Sequence, residues 1–407
     1  MEDRTAALDL LNDRLKNETT RVASVHAIDA IASLSTGKDQ LQAKWIREVS
    51  LELSAQLRKA NRALRGASLG ALKNLVIAPA SRGSFDKLTI EGLVSALLPL
   101  LTTKDLHLLG PALLVLASLV VDDQTLVVTQ PLNQALCDLM KGDTLQGAVL
   151  EALLVLVQKI GEVGAGQPLM KGLLIEVSVN GDPAVVGKVI GTLLVYGETS
   201  LDVKVNDFVT ELNSPQSEAA KQSLSLAVLG ETGLRQGGQS LLKPSLFLNQ
   251  FSSASDKVRL ASAVALGRAG AGNIPVYMPE ILDTMDKGGN GQYLLLHSIK
   301  EILQQASKNS ADITNYTKAV WERLLVAAQV EDNKAVGAEC IGRLVIIDPK
   351  TYIPELQVCL FLSKFSAKTY AYRNIWATHR HLSVLWSSKR FDTHYPIVMK
   401  RSTQFSR

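Results

Sequence analysis

Aromatic residues and cysteines are both scarce in this sequence, and each shortage limits the folds and sites it can form. Phe, Trp and Tyr make up only 5% of the 407 residues, whereas hydrophobic residues together make up 46%. An interior of Leu, Ala and Val is typical of helices packed closely on helices. The three cysteines, Cys137, Cys340 and Cys359, lie far apart. They predict neither a disulfide framework nor a zinc cluster, and they favour a reducing compartment.

Long apolar segments are also lacking. The chain begins MEDRTAALDLLNDRL, which carries charges where a signal peptide needs an apolar core. The longest apolar run, Leu108–Val121, has 14 residues and contains a Gly-Pro break. A helix needs about 20 apolar residues to cross a bilayer. The sequence therefore predicts a soluble intracellular protein with no membrane span.

The formal net charge of +4 is unevenly distributed. Residues 364–407 contain nine of the 43 Lys and Arg residues but one of the 39 Asp and Glu residues, so this stretch carries +8 and the rest of the chain carries −4. The same stretch holds eight of the 20 aromatic residues and three of the six histidines. A basic balance favours binding to nucleic acid or to anionic membranes. Here that expectation attaches to the last residues alone.

The rest of the chain repeats a short pattern: a small residue, a large aliphatic residue, two or three variable residues, another aliphatic residue, and a turn. The pattern occurs nine times, with steps of 33 to 44 residues that average about 39. Each step has room for two helices of about four turns. We call the central aliphatic residues the anchors: Ile28, Leu72, Leu113, Leu153, Leu193, Val228, Leu266, Ile299 and Ile341.

Paired helices at this period are typical of HEAT and armadillo arrays. HEAT units fit better, because no third short helix is readable. We therefore predict an all-α protein, an α-solenoid of about nine HEAT-type repeats over residues 1–357. Strand signals are weak: LIEVSVNG (174–181) alternates briefly, but it falls where a helix end and a loop are expected. The second helix of each pair should line a concave face.

Residues 256–273, DKVRLASAVALGRAGAGN, illustrate the expected helix packing. Asp256 is predicted to cap the helix, and Arg259 lies one turn further on. Leu260 and Val264, together with Ala261 and Ala265, form an apolar face at helical spacing. Small residues from Ala261 to Gly267 should form the seam with a neighbouring helix. Arg259 is expected to bond to the neighbouring unit.

The same stretch contains Gly267-x-x-Gly270-x-Gly272, which could be a phosphate-binding loop. Such a loop follows a buried strand. VRLASAVAL has helical spacing instead, so we interpret the glycines as the turn between repeats. GEVGAGQP (161–168) has the same interpretation.

Other reactive residues do not form a recognisable catalytic set. His26, His107 and His297 are interpreted as surface or seam residues at equivalent helical positions. Cys137 and Cys340 are interpreted as buried structural thiols. Ser214-Pro215 could be phosphorylated in a loop, but we favour a helix N-cap followed by proline. We therefore predict a protein that is not an enzyme, with no catalytic residues, no cofactor, no metal and no small-molecule substrate, and we assign no partner-binding residues.

Several segments resemble the cullin-associated and neddylation-dissociated protein family. The resemblance spans roughly residues 3–357 in order. Its clearest segments are AALDLLNDRLKNETTRVASV (6–25), DKVRLASAVALGRAGAGNIPVYMPEIL (256–282), GQYLLLHSIKEIL (291–303) and NKAVGAECIGRLVIIDPKTYIPEL (333–356). AVVGKVIGTLLVYGE (184–198) is a weaker match.

This resemblance implies a HEAT solenoid that wraps around an unmodified cullin and its RING subunit. Proteins of this family compete with adaptor and substrate-receptor modules, so they promote receptor exchange and assembly of SCF-type ubiquitin ligases without catalysis. The resemblance also implies a monomer in the cytoplasm and nucleus. The chain is similar to the middle-to-late portion of the family's sequences, so a truncated form is expected. No family motif assigns contact residues here.

The repeat pattern, the acidic balance and the low aromatic content all end after Leu356. We expect residues 358–407 to be a disordered or mistranslated basic tail, derived from an intron or a frameshifted exon. The alternative is a true basic arm that binds nucleic acid or membrane. Two other functions thus stay open: a karyopherin-like or other HEAT adaptor, and a protein that binds nucleic acid through its tail.

Overall fold

The structure is a computed structural model that describes residues 2–37, 40–142, 145–288, 291–309 and 313–362. Most of the predicted tail, residues 363–407, lies outside the described residues. The boundary at residue 357 therefore stays a prediction, and the last helix continues past it to Leu362.

The described residues form α-helices and short 3-10 or π turns, with no β-strand among them. The first ten helices are α1 (Glu2–Lys16), α2 (Arg21–Leu34), α3 (Ala43–Gln56), α4 (Arg62–Ile77), α5 (Lys87–Leu97), α6 (Leu106–Asp122), α7 (Gln124–Val127), α8 (Gln130–Met140), α9 (Gly147–Glu162) and α10 (Gln167–Gly172). The others are α11 (Pro183–Tyr196), α12 (Val205–Asn213), α13 (Ala219–Gln236), α14 (Pro244–Leu248), α15 (Asp256–Gly272), α16 (Ile274–Asp286), α17 (Gln292–Asn309), α18 (Thr317–Ala327), α19 (Lys334–Ile347) and α20 (Pro349–Leu362).

The chain divides into two units, residues 1–316 and 317–407. In the first unit the helices from α1 to α17 form eight successive pairs, and the four-residue helix α7 lies between the third and fourth pairs. The described part of the second unit holds a ninth pair, α18 and α19, followed by α20. The fold is the predicted all-α solenoid of HEAT-type helix pairs.

Local sequence sets many of the helix starts. The side chains of Asn61 and Asp86 cap α4 and α5 by accepting hydrogen bonds of 3.0 Å from the backbone N–H groups of Leu64 and Thr89. Pro183 is the first residue of α11, where a missing N–H costs nothing. These capping residues and prolines separate the helices, so each pair can turn back on itself.

The repeat pattern correctly identified the core. Eight of the nine anchors are fully buried, and the ninth, Ile341, is 5% exposed. All nine lie on the second helix of their pair. In the first unit these helices are α2, α4, α6, α9, α11, α13, α15 and α17, and each packs against the next. We call this set the second-helix row.

Glycines set the close spacing within the later part of this row. A Cβ on Gly230 of α13 would lie 2.8 Å from the Cα of Ala265 on α15, and a Cβ on Gly267 would collide with the carbonyl oxygen of Ser298 on α17. The hydroxyl of Ser298 donates a 2.7 Å hydrogen bond to the carbonyl of Ala263 across the same seam. The predicted seam on α15 is therefore confirmed at Ala263, Ala265 and Gly267.

The predicted apolar face of α15 is wrong at Leu260, which is 41% exposed. The helix is packed on several sides, by α13, α14, α16 and α17, so its buried surface is much wider than one apolar stripe. Leu260 lies on the side that these neighbours leave open, and Val264 is half-buried. Asp256 is not the cap either: Ser255 holds that position, and Asp256 pairs with Arg259 one turn on. Arg259 also donates to the Ser253 carbonyl, so these two bonds stay within its own repeat.

In some pairs the first helix is less regular than the sequence predicted. α10 and α14 have only six and five residues, although four turns were expected. A π-helical turn, Leu173–Val177, continues α10, and a 3-10 turn, Asn249–Ser252, continues α14. The segment with weak strand alternation, 174–181, thus begins in a helical turn, as its position indicated.

The apolar run in α6 belongs to a longer helical segment than the sequence suggested. Thr103–Asp122 form a 20-residue segment that could cross a membrane on length and composition alone, and 56% of its apolar window is buried inside the fold. Because α6 packs between α4 and α9, most of its leucine side chains lie in the hydrophobic core. A buried core helix passes the same test, so the segment is weak evidence for a membrane span.

Candidate interaction face

The second-helix row brings side chains from consecutive repeats next to one another, and this is the region where a scaffold could bind a partner. The sequence predicted that these helices line a concave face, and that statement stays a prediction. Two parts of the row carry most of its charged contacts. One lies on α11, α13, α15 and α17, and the other on α2, α4 and α6.

The first part contains a buried ionic network, which we call the Glu231 network. The Nε of Arg268 on α15 lies 3.1 Å from Oε2 of Glu231 on α13, and a second guanidinium nitrogen bonds to the same oxygen. Arg235 donates a 2.7 Å bond to the other carboxylate oxygen and lies 5.8 Å from the ring centre of Tyr196 on α11. On the opposite side, Arg268 lies 3.8 Å from the carboxylate of Glu301 on α17. One chain of contacts thus joins four repeats.

Burial and charge compete in this network. The side chain of Glu231 is 1% exposed and that of Arg268 is 9% exposed. Burial alone would raise the pKa of Glu231, but Arg268 and Arg235 outweigh it and hold that pKa below its ordinary value. Burial also lowers the pKa of Lys188 on α11, and the nearby Arg268 lowers it further. The carboxylate of Glu231 is therefore ionised and fully occupied by protein partners.

A buried network of this kind fixes geometry more than it adds stability. Removing two charges from water costs several kcal/mol, and that cost is offset only when the partners are close and well hydrogen-bonded. Because Glu231 and Arg268 lie on different repeats, their contact specifies how those repeats pack. The sequence did not predict the network. Its signal was a glutamate and an arginine 37 residues apart, close to one repeat length.

The glycine motifs are structural, although not in the way that was predicted. Gly267 and Gly270 lie inside α15 and not in a turn, and only Gly272 ends the helix. Gly267 and Gly270 face neighbouring helices, where the small size of glycine permits close packing. In the other motif, Gly164, with a φ of 73°, follows the end of α9 and lies in a turn as predicted. Neither motif follows a strand in the described structure, so neither forms a phosphate-binding loop of that type.

The three histidines do not share one helical position. His26 and His297 each lie two residues before an anchor, whereas His107 lies at the start of α6. His26 is exposed, and His297 is half-buried with its ring 4.7 Å from that of Tyr293. His107 lies 3.3 Å from a guanidinium nitrogen of Arg62. The structure does not bring these histidines together.

Cys137 and Cys340 are buried, as predicted, and neither forms a disulfide among the described residues. Burial raises the pKa of Cys137 to about 11, so its reactive thiolate form is suppressed. Cys359 lies in the part of α20 whose side chains are outside the described residues.

The prediction for Ser214-Pro215 is wrong. Ser214 ends α12 and Pro215 lies in a turn, while α13 starts at Ala219 behind Glu218. Ser214 had been predicted as the N-cap and Pro215 as the first helical residue, but Gln216 and Ser217 extend the turn, and the helix begins four residues later. Elsewhere, an open cleft of about 580 Å³ at the end of α6 is lined by valines and polar residues, including Asp122 and Asp123, with no His or Cys. No group of His, Cys, Asp and Glu that could hold a metal ion occurs among the described residues.

Comparison with solved structures finds matches of low sequence identity. A crystal structure of Kap121p covers 90% of this chain and 45% of its own chain, with 15% identity and a TM-score of 0.37. A structure of importin beta covers 90% of this chain and 60% of its own chain, with 12% identity and a TM-score of 0.31. No protein-family model matches the chain.

Comparison with curated proteins gives closer relatives. The protein named Cullin-associated NEDD8-dissociated protein 1, C-terminal part, from Emericella nidulans is 47% identical over 356 residues, which are 88% of this chain and 34% of that protein. Cullin-associated NEDD8-dissociated protein 1 of Arabidopsis thaliana is 29% identical, over 87% of this chain and 30% of that protein. Cullin-associated NEDD8-dissociated protein 2 of Rattus norvegicus is 30% identical, over 87% of this chain and 29% of that protein.

The chain therefore spans about a third of the length of these relatives. The matches in three organisms cover nearly the same share of it, and the matched proteins carry the same family name. Along the matched 88% of its length, the chain belongs to the cullin-associated NEDD8-dissociated protein family.

Proposed function

We propose that this chain is part of a scaffold that binds an unmodified cullin with its RING subunit and promotes exchange of substrate receptors on SCF-type ubiquitin ligases. The observation that carries the proposal is the 47% identity over 356 residues to a protein named for its association with cullins. In this proposal the chain acts by contact, is not an enzyme, uses no cofactor, and works as a monomer apart from its partner in the cytoplasm and nucleus.

The structure supports this role through the kind of surface that it offers. A solenoid presents long helical faces and binds its partner over a large area. The described histidines and cysteines lie apart and form no catalytic set. In the Glu231 network, buried contacts hold four successive repeats in one arrangement, as a rigid binding surface requires.

A titration tests the proposal directly. A purified unmodified cullin–RING complex is titrated with the 407-residue protein by calorimetry, and the same complex carrying NEDD8 on the cullin serves as the control. We expect weak binding to the unmodified complex and less to the NEDD8-carrying one. A longer protein that adds the flanking family sequence should bind more tightly. If neither the chain nor the longer protein binds an unmodified cullin, the cullin assignment is wrong.

The other functions make different predictions in the same assay format. A karyopherin-like adaptor would bind a basic cargo peptide in place of a cullin. A protein that acts through its basic tail would bind nucleic acid, and removal of residues 358–407 would abolish that binding.

A further inference from the structure

The second part of the row, on α2, α4 and α6, has a surface that lies outside the Glu231 network. Arg62, Gly66, Gly70, Lys73 and Ile77 follow one another at helical spacing along α4. Arg62 and Ile77 are exposed, and the three residues between them are half-buried. We call these five positions the α4 face.

Neighbouring repeats flank the α4 face on both sides. Asn74 on α4 donates a 2.6 Å hydrogen bond to the carboxylate of Asp29 on α2. On the other side, the hydroxyl of Ser118 on α6 lies 3.4 Å from the carbonyl oxygen of Val76, and Arg62 contacts His107. The face therefore forms the middle strip of a surface built by three consecutive repeats.

The charge of this surface is strongly positive. Arg62 and Lys73 lie on the α4 face, and Arg58 and Lys59 lie exposed in the turn just before it. In the described part of the chain, none of these four cations forms an ion pair. The adjacent Arg65 is different, because it lies 3.4 Å from the carboxylate of Asp105.

Among the described residues, two carboxylates lie within hydrogen-bond or ion-pair distance of α4 side chains, and their partners are Asn74 and Arg65, not Arg62 or Lys73. Asp29 accepts a hydrogen bond from Asn74. The carboxylate of Asp105 lies 3.4 Å from Arg65 and 3.9 Å from His107. Residues 57–77, which are α4 and the turn before it, carry five cations and no carboxylate. An exposed excess of positive charge attracts an acidic partner and repels a basic one.

The shape of the α4 face points to a partner that approaches closely. A Cβ added to Gly66 or Gly70 would meet no atom within 4 Å, so neither glycine is needed for packing inside the protein. This differs from Gly230 and Gly267 in the same helix row, whose Cβ atoms would collide with a neighbouring helix. Glycine inside a helix is disfavoured relative to alanine. Its presence at two outward positions leaves bare backbone between flanking cations.

We propose that the α4 face docks an acidic helix of a partner protein, whose carboxylates pair with Arg62 and Lys73 while its backbone packs against Gly66 and Gly70. A one-turn spacing between the glycines matches the ridge spacing of a second helix. Single-stranded nucleic acid fits less well, because such surfaces interleave cations with aromatic rings and the α4 face has none. This goes beyond the proposed function, since it does not depend on a cullin being the partner.

The test uses the 407-residue protein and a fluorescein-labelled helical peptide of about 18 residues, made of alanines with glutamates one turn apart. Two double variants are compared with the wild type by fluorescence anisotropy. Arg62→Glu with Lys73→Glu reverses the charge, and Gly66→Gln with Gly70→Gln fills the bare backbone. Lys257→Glu and Ala220→Gln, at exposed positions on α15 and α13, are the matched controls.

We expect each double variant to weaken binding by about tenfold, and the controls to change it less than about twofold. The glutamine variant should be at least as heat-stable as the wild type, because glutamine favours helix over glycine. Any contribution of the basic residues in 364–407 is common to all five proteins, so it cannot produce this difference.

Several results would overturn the proposal. One is the absence of peptide binding to the wild type. Another is equal affinity for the wild type and both double variants. If a single-stranded DNA oligonucleotide binds with the same dependence on Gly66 and Gly70, the occupant is nucleic acid. If light scattering shows a dimer that the glutamine variant converts to a monomer, the occupant is a second copy. None of these results affects the cullin titration, so the two proposals fail separately.

Discussion

Arg268 and Glu231 join two neighbouring repeats through a buried contact in which two guanidinium nitrogens bond to one carboxylate oxygen. Arg235 holds the other oxygen of the same carboxylate. Each side chain is therefore needed to satisfy the other, and loss of one leaves a buried charge without its main partner. This dependence makes the pair a sensitive test of how the repeats pack.

The first prediction concerns this pair. Arg268→Met should lower the free energy of unfolding by about 3 kcal/mol, because it leaves Glu231 buried and hydrogen-bonded to one cation, Arg235, in place of two. Glu231→Met with Arg268→Met should recover part of the loss, since an apolar pair carries no desolvation cost. Chemical denaturation followed by circular dichroism measures both. The exposed pair Arg259 and Asp256 is the control, and Arg259→Met should cost less than about 1 kcal/mol.

Equal losses from Arg268→Met and Arg259→Met would show that the buried network contributes no more than a surface ion pair. A double variant less stable than Arg268→Met alone would show that Glu231 has a further stabilising partner.

The second prediction concerns acid. The folded-state pKa of Glu231 is lowered, so its contribution to stability is fully present above its unfolded pKa, about 4.3, and is lost as the pH falls toward the folded value. The stability difference between wild type and Glu231→Gln should therefore be constant between pH 6 and pH 7 and shrink below about pH 4.3. Unfolding at a series of pH values measures it. A difference that grows in acid would mean that the pKa of Glu231 is raised.

The period, the anchors and the fold class could be predicted from the sequence, because each anchor is one aliphatic side chain that recurs at the repeat length. The limits of α10 and α14 could not be predicted from the sequence. Each of these short helices continues as a π or 3-10 turn, and hydrophobic periodicity does not distinguish such a turn from an α-helix. The exposed position of Leu260 was missed for a related reason. A helix packed on several sides shows no single apolar stripe, so periodicity does not reveal the open side.

The Glu231 network and the α4 face were harder to foresee. Glu231 and Arg268 are ordinary charged residues in sequence, and only the stacking of α13 on α15 shows that they meet. Gly66 and Gly267 both occur in helical patterns rich in small residues. The structure separates them, since one faces open space and the other faces the carbonyl of Ser298.

The third prediction uses that difference. Gly66→Ala should raise the free energy of unfolding by about 0.8–1 kcal/mol, because the new methyl group meets open space and alanine favours the helix. Gly267→Ala should lower it by about 1–3 kcal/mol, because the methyl group would collide with the Ser298 carbonyl. Thermal and denaturant unfolding of the two single variants measure the sign. Changes of the same sign would contradict the packing described for α15 and α17.

The fourth prediction concerns Cys137. With its pKa raised to about 11, roughly one thiol in a thousand is ionised at pH 8, and burial blocks access as well. In a Cys359→Ser variant, which removes the thiol outside the described side chains, a disulfide reagent should react with Cys137 only on unfolding. Cys340 is also buried, so it should likewise react with the reagent only on unfolding. Fast labelling of the folded protein at pH 8, located by mass spectrometry, would contradict the burial of either thiol.

The last prediction concerns how affinity for a cullin is distributed along the family's sequence. The chain spans about a third of its relatives, so it holds only part of any extended contact. When contacts at separate places are joined in one protein, the second forms at a high effective concentration, and affinity rises by about 10² to 10⁴. We therefore expect the 407-residue chain to bind an unmodified cullin–RING complex weakly or not measurably. A protein extended by the following family sequence should bind detectably, and one extended in both directions should bind most tightly. Calorimetric titration of the three proteins against one complex measures the series, and equal affinities for all three would place the main contact within residues 1–357.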